Sequence, residues 1–193
     1  MGNLLELGDH ELHCCMKVVV QNDAGADCVG TIGRSDPYDN RPNMLAPSDL
    51  HLVEKNSVWC SLLGRDDGSA RWPVFSCFAC NDLYAHPADF KCDRTDWQKF
   101  YRSTLVFPLR YIQDEVNSKF VTFGFLAFDS VKKGVFGDVP DIFHYRERWH
   151  AYHERLSNTT AFHVGAVFAD TLSVLMRRYF EKPKKDGASN ETN

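Results

Sequence analysis

The sequence predicts an α+β fold built on an antiparallel sheet, and three observations predict it. Residues 100–110 and 119–130 are two segments rich in Phe, Val and Leu, separated by the turn-like residues 114–118. Residues 12–20 form a β-branched run, and from Pro140 onward the pattern becomes helical. Strands followed by helices in separate parts of a chain give this class. In the segment 119–130, Val121, Phe123, Phe125 and Ala127 point one way while Phe120, Thr122, Leu126 and Phe128 point the other. Apolar residues on both faces mark a central, covered strand. Gly124 in its middle predicts a bulge or a close backbone approach.

The elements follow in order. The strand at 12–20 is bounded by Gly8-Asp9 and by Asn22-Asp-Ala-Gly25, both turn-formers. Residues 30–47 shift to Asp, Asn, Arg, Gly and Pro, with Asp36-Pro-Tyr-Asp-Asn-Arg-Pro42 at the centre, and read as an exposed loop. Pro47-Ser-Asp-Leu50 caps a short helix through about Lys55, and residues 57–63 form another short apolar element. A turn at 64–68 leads to a strand over 73–80 that enters Asn81-Asp82. Residues 85–97 are a polar connection, with a helical turn around 94–100. After the two long strands, Lys132-Lys-Gly-Val-Phe-Gly137 is a turn, and Pro140 opens a helix over 141–155. Ser157-Asn-Thr-Thr160 caps a final helix, in which Val164, Val167, Phe168, Thr171, Leu172, Leu175 and Tyr179 recur at the helical period as the face expected to lie on the sheet. Residues 1–181 read as one domain and 182–193 as a polar tail.

Composition narrows the function classes. The 193 residues are 44% hydrophobic and 13% aromatic, enough for one well-buried core. A net charge of −4, with no dense basic block before the short Lys182-Pro-Lys-Lys185 stretch, argues against nucleic acid as a partner. No apolar run reaches the length of a membrane span, so no membrane partner is expected. Seven cysteines without regular spacing do not make a disulfide framework and point to a reducing compartment, the cytoplasm.

Cys80-Asn-Asp-Leu83 and His86-Pro87, then Tyr101-Arg-Ser103, Leu105-Val-Phe-Pro108, Gly124-Phe-Leu-Ala-Phe-Asp-Ser130, Phe136 and the closing helix resemble a GAF domain, a sensory fold. The resemblance covers about residues 74–180. It implies an antiparallel sheet of five to six strands with helices packed on one face, and a ligand pocket on the other roofed by residues 81–97. It also implies a homodimer through the terminal helices and a non-catalytic module that binds a small ligand or a protein partner. The family's first helix is missing or very short, so the chain reads as one domain of a longer signalling protein.

Asn81, Asp82, Tyr84, His86, Arg102 and Asp129 are the polar and aromatic candidates for that pocket, with Phe75, Phe123 and Phe125 as its apolar walls. The competing reading makes Asn81-Asp82 a turn cap and pairs Arg102 with an acid. No cofactor is specified. Residues 84–93 also resemble the loop of the free-methionine-R-sulfoxide reductases, which makes Cys92 the nucleophile of an alternative thiol-redox reading, with Cys77 or Cys80 resolving. In that reading Lys91 and Arg94 lower the Cys92 pKa. Thr104 and Ala127 stand where those enzymes carry acidic side chains, leaving Asp129 alone of the substrate clamp. Cys77-x-x-Cys80 with His86 and Cys92 has the residue types of a zinc site, but strand residues three apart face opposite sides, and the pair reads as core cysteines with no metal. His150 and His153 share a helix face, read as solvated and anchored by Trp149.

Overall fold

In a computed structural model of the chain, which describes residues 12–35, 46–66, 73–114 and 119–180, the β-branched run becomes β1 (His13–Gln21). Asn22 reverses it. Its side-chain carbonyl accepts the N–H groups of Ala24 and Ala26, and Gly25 takes the left-handed conformation, φ 76°, that the turn requires. The chain returns as β2 (Asp27–Arg34), paired with β1 from Gln21↔Asp27 to Cys15↔Arg34. This strand corrects the expectation of a loop beginning at Gly30. Gly30 and Gly33 weaken the local β signal, whereas pairing with β1 buries Val29 and Thr31 all the same. The loop's centre at 36–42, the Gly8-Asp9 turn, the far side of the 64–68 turn, residues 115–118 of the next turn and the 182–193 tail lie outside the described residues.

The short helix expected through Lys55 is two 3-10 turns, Pro47–Asp49 and Val53–Lys55, on either side of β3 (His51–Leu52), which pairs with β2. Asp49 explains the interruption. Its carboxylate does not cap a helix but accepts the Thr31 N–H at 2.7 Å and the Arg34 guanidinium at 2.8 Å. The apolar element that follows is helix α1 (Ser57–Leu63), capped by the Asn56 side chain on the Val58 N–H and ended by Gly64 at φ 66°. A helix this short owes its stability to burial, and six of its seven residues are buried. The strand expected over 73–80 shrinks to β4 (Phe78–Cys80), since Phe75 donates its N–H to the Ser61 carbonyl and runs beside α1.

β5 (Ser103–Asp114) and β6 (Lys119–Ser130) pair along their whole length, as predicted. The sheet order is β3-β2-β1-β6-β5-β4, antiparallel throughout, which puts β6 in the interior. Gly124 shows both features expected of it: the β5–β6 register shifts beside it, between Leu109 and Arg110, and a Cβ there would collide with the Lys17 carbonyl oxygen of β1.

The helix expected over 141–155 is divided into a 3-10 turn, Ile142–Tyr145, and α2 (Trp149–Leu156). Its anchor is not Trp149, which is 41% exposed, but Tyr152, fully buried, whose hydroxyl donates to the Cys77 carbonyl and whose ring meets Phe75 edge-on. α3 (Thr160–Phe180) packs along β5 through a face different from the predicted one. Gly165, Ala169 and Ser173, spaced by four, are buried, while Val164, Val167, Phe168 and Leu175 are exposed. The reason is steric. A groove of small residues lets the Phe107 ring of β5 reach the helix backbone, and a hydrophobic periodicity weights large side chains only. Cross-strand partners share a face, so the pairs Phe107↔Leu126 and Pro108↔Phe125 put Phe107 and Phe125 on opposite sides. α3 therefore covers one face of the sheet, and α1, whose Trp59 stacks on Phe125 at 4.7 Å, lies on the other.

Candidate functional site

On the α1 face the sheet does not close against its cover. A cavity of about 60 Å³ is bounded by β1 and β2, by α1, by residues 90–94 and by the start of β5 and end of β6. Alternation positions its floor: Thr104 and Val106 of β5 stand opposite Asp129 and Ala127 of β6, all on the face away from α3. Thr104 donates its hydroxyl to Asp129 at 2.6 Å, fixing that carboxylate at the rim of the sheet. Lys17 enters from β1, donating to the Thr31 hydroxyl at 2.9 Å with its ammonium 6.0 Å from the Trp59 ring centre. Trp59, Val58 and Phe90 supply apolar wall. The Trp59 indole N–H is buried and has no hydrogen-bond partner among the described residues.

Cys92 closes one side. Its sulfur lies 3.2 Å from the Tyr101 hydroxyl and accepts from the Asn56 amide at 3.5 Å. Burial pushes the Cys92 thiol above its ordinary range, and the Tyr101 hydrogen bond and nearby Arg94 only partly oppose it. Arg94 itself is committed to Asp96 at 2.8 Å and lies over the Phe100 ring. Next to Cys92, Asp93 is bound by His51 at 2.9 Å and by the Leu52 N–H at 3.1 Å, which locks the covering segment to β3. No disulfide joins any of the seven cysteines.

Of the pocket residues named from the sequence, Asp129 lines this cavity, as does Cys92 of the redox alternative, and the structure places the others elsewhere. Asn81 is a staple: its side chain accepts the Phe136 N–H and donates to the Gly137 and Val139 carbonyls, and its N–H donates to Asp141 at 2.6 Å. Asp82 and Arg102 pair at 2.8 Å, joined by Lys133 at 3.0 Å, and the Arg102 guanidinium holds the Asp82 carboxyl down to about 2. Tyr84 lies against that guanidinium, 5.0 Å from its ring centre, and donates its hydroxyl to the Gln98 carbonyl. His86 stacks on Phe143 near Asp141. Phe75 packs on Tyr152, Phe125 packs beneath Trp59, and Phe123 meets Tyr111. The sequence reading did not name Lys17, Thr31, Arg34, Asp49, His51, Trp59 or Tyr101 as site residues. Lys17 carried a signal, a charge inside a run of Val and Met in a core strand; Asp49 and His51 carried none, because the strand they meet, β2, has its local β signal weakened by Gly30 and Gly33.

Cys77 and Cys80 also separate. Cys77 is fully buried in the core, whereas Cys80 stands opposite Thr104 and meets His86 and Asp141. Burial, with the Asp141 carboxylate beside it, raises the Cys80 thiol pKa. Among the described residues no single helix is long and apolar enough to cross a membrane. No protein-family model matches the chain, and no curated protein and no solved structure matches it either.

Proposed function

We propose that the chain is a non-catalytic binding module of sensory type, taking a small polar molecule with an anionic or carbonyl oxygen into the cavity between α1, residues 90–101 and the β5–β6 face. The observation that carries this reading is the buried Trp59 indole N–H without a partner in the wall of a cavity that also receives Lys17. A buried donor left without an acceptor is costly, and a bound oxygen would satisfy it. The volume of about 60 Å³ holds a few heavy atoms or waters and excludes anything nucleotide-sized. A sensory role is what the GAF-like order of elements implies. It is supported by the alternation of β5, which presents Thr104 and Val106 to the cavity and Phe107 to α3, so that movement of one strand reaches both.

Output through a second copy of the chain fits the surface of α3. Val164 and Thr171, Val167 and Val174, and Phe168 and Leu175 repeat at seven residues on its exposed side, the spacing that pairs helices. Seven cysteines without the regular spacing of a disulfide framework fit the cytoplasm as its compartment.

The thiol-redox alternative has one observation in its favour, that Cys92 lines the cavity. Against it, burial favours the protonated thiol, and no other cysteine lines the cavity to resolve a sulfenic acid. Native mass spectrometry of protein purified from its own host tests the binding reading. A small adduct on wild type, and roughly tenfold weaker retention by Trp59→Phe, is expected from loss of one hydrogen bond to a buried acceptor. Protein free of adducts whose melting temperature no small carboxylate or amide raises would overturn it.

A further inference from the structure

Cys80, His86 and Asp141 bring a sulfur, an imidazole nitrogen and a carboxylate oxygen within 4.8 Å of one another, in a place the cavity does not use. We propose that these three side chains bind a divalent transition metal, zinc by their chemistry, with a water in the fourth position.

The geometry is close to what zinc needs. Zinc bond lengths in a tetrahedral site put ligand atoms about 3.3–3.7 Å apart, and His86 Nε2 already lies 3.6 Å from Asp141 Oδ2. The outer shell is in place as well. The other oxygen of Asp141 accepts the Asn81 N–H at 2.6 Å, which orients the carboxylate and leaves Oδ2 available. The His86 ring is held flat against Phe143 with centroids 4.7 Å apart.

The fourth position falls to a water, as in zinc sites with three protein ligands. Asp141 precedes the 3-10 turn Ile142–Tyr145, and the His144 N–H donates to the Asp141 carbonyl at 3.2 Å. The exposed His144 side chain, its ring centre 5.1 Å from that of His86, stands beside the three-ligand group and outside it.

Charge also balances. Cys80 is 1% and His86 9% exposed, an environment that penalises isolated anions. A dication with one thiolate and one carboxylate is neutral, and the proton leaves the thiol as the metal enters. Three buried or half-buried donors of different types, drawn from the end of β4, the turn after it and the segment before α2, make a donor set suited to zinc and unsuited to calcium or magnesium, which take oxygen ligands. The metal would tie those segments together where Asn81 already staples them.

Cobalt(II) titration of metal-stripped protein reads the site directly. Wild type is expected to bind one equivalent, with tetrahedral visible bands and a near-ultraviolet sulfur-to-cobalt charge-transfer band, both bleached by zinc. Cys80→Ser removes the charge-transfer band, and Cys92→Ser keeps it. Asp141→Asn retains an oxygen for the Asn81 N–H, and so the fold by circular dichroism, but lowers cobalt affinity at least about tenfold. The proposal is overturned by wild type without the charge-transfer band, by a band that survives Cys80→Ser, or by folded Asp141→Asn that binds like wild type.

Discussion

Gly165 of α3 sits directly on the Phe107 ring of β5: a methyl group at the glycine would overlap the ring's Cε2 and Cζ atoms. The long helix is held to the sheet by this approach and by Ser173, whose hydroxyl accepts the Arg110 N–H at 3.1 Å. Gly165→Ala gains about 1 kcal/mol of helix propensity but overpacks the contact at about 1–3 kcal/mol. Urea unfolding is expected to show net destabilisation, and a variant more stable than wild type would refute the approach. Phe107→Ala, which empties the same contact, is expected to cost about 3–5 kcal/mol.

The exposed side of the same helix should pair with itself. Val167 and Val174 are 66% and 63% exposed, one heptad apart. Light scattering on wild type is expected to give the mass of a dimer, and the double change of both to Glu the mass of a monomer with unchanged circular dichroism. A monomeric wild type at high concentration would remove the dimer from the proposal.

Cys92 should behave as a poor nucleophile. Its pKa is raised chiefly by burial, and each unit above the ordinary thiol value cuts the thiolate fraction near neutrality tenfold. After brief iodoacetamide treatment at pH 7.5, peptide mapping is expected to find Cys92 labelled more slowly than in urea. Labelling at the free-thiol rate would restore the redox alternative.

His153 supplies a pH dependence. Burial, followed by His150 and Arg110, lowers its pKa, while its Nδ1 sits 2.8 Å from the Ser76 hydroxyl. The folded state thus favours the neutral ring. The stability it contributes is fully present above the unfolded pKa, near 6.5, and is lost as pH falls through the lower folded value. Urea midpoints taken between pH 7.5 and 5 are expected to fall in wild type and to fall less in His153→Gln; parallel profiles would assign the dependence to other groups.

Much of the fold was legible because it is written locally. The β5–β6 pair, the special position of Gly124 and the last helix all followed from period, turn chemistry and a missing side chain. β2 was hidden by its glycines, and the buried face of α3 by the small size of Gly165, Ala169 and Ser173. Of the cavity, Asp129 and Cys92 were legible, because they lie in or beside the strands that build it, whereas of the expected roof over 81–97 only residues 90–94 line it and α1 supplies the rest of the wall.

What the sequence determined by itself is therefore the class and the antiparallel pair at its centre. Tertiary structure alone decided which chemistry meets. Lys17, Asp49, Trp59 and Tyr101 converge on one cavity from four separate elements, and Cys80 with His86 meets Asp141 across the chain. The physical reason is that periodicity reports which side of its own element a residue faces. Only the sheet order and the close approaches at Gly124, to the Lys17 backbone, and at Gly165, to the Phe107 ring, determine what lies opposite.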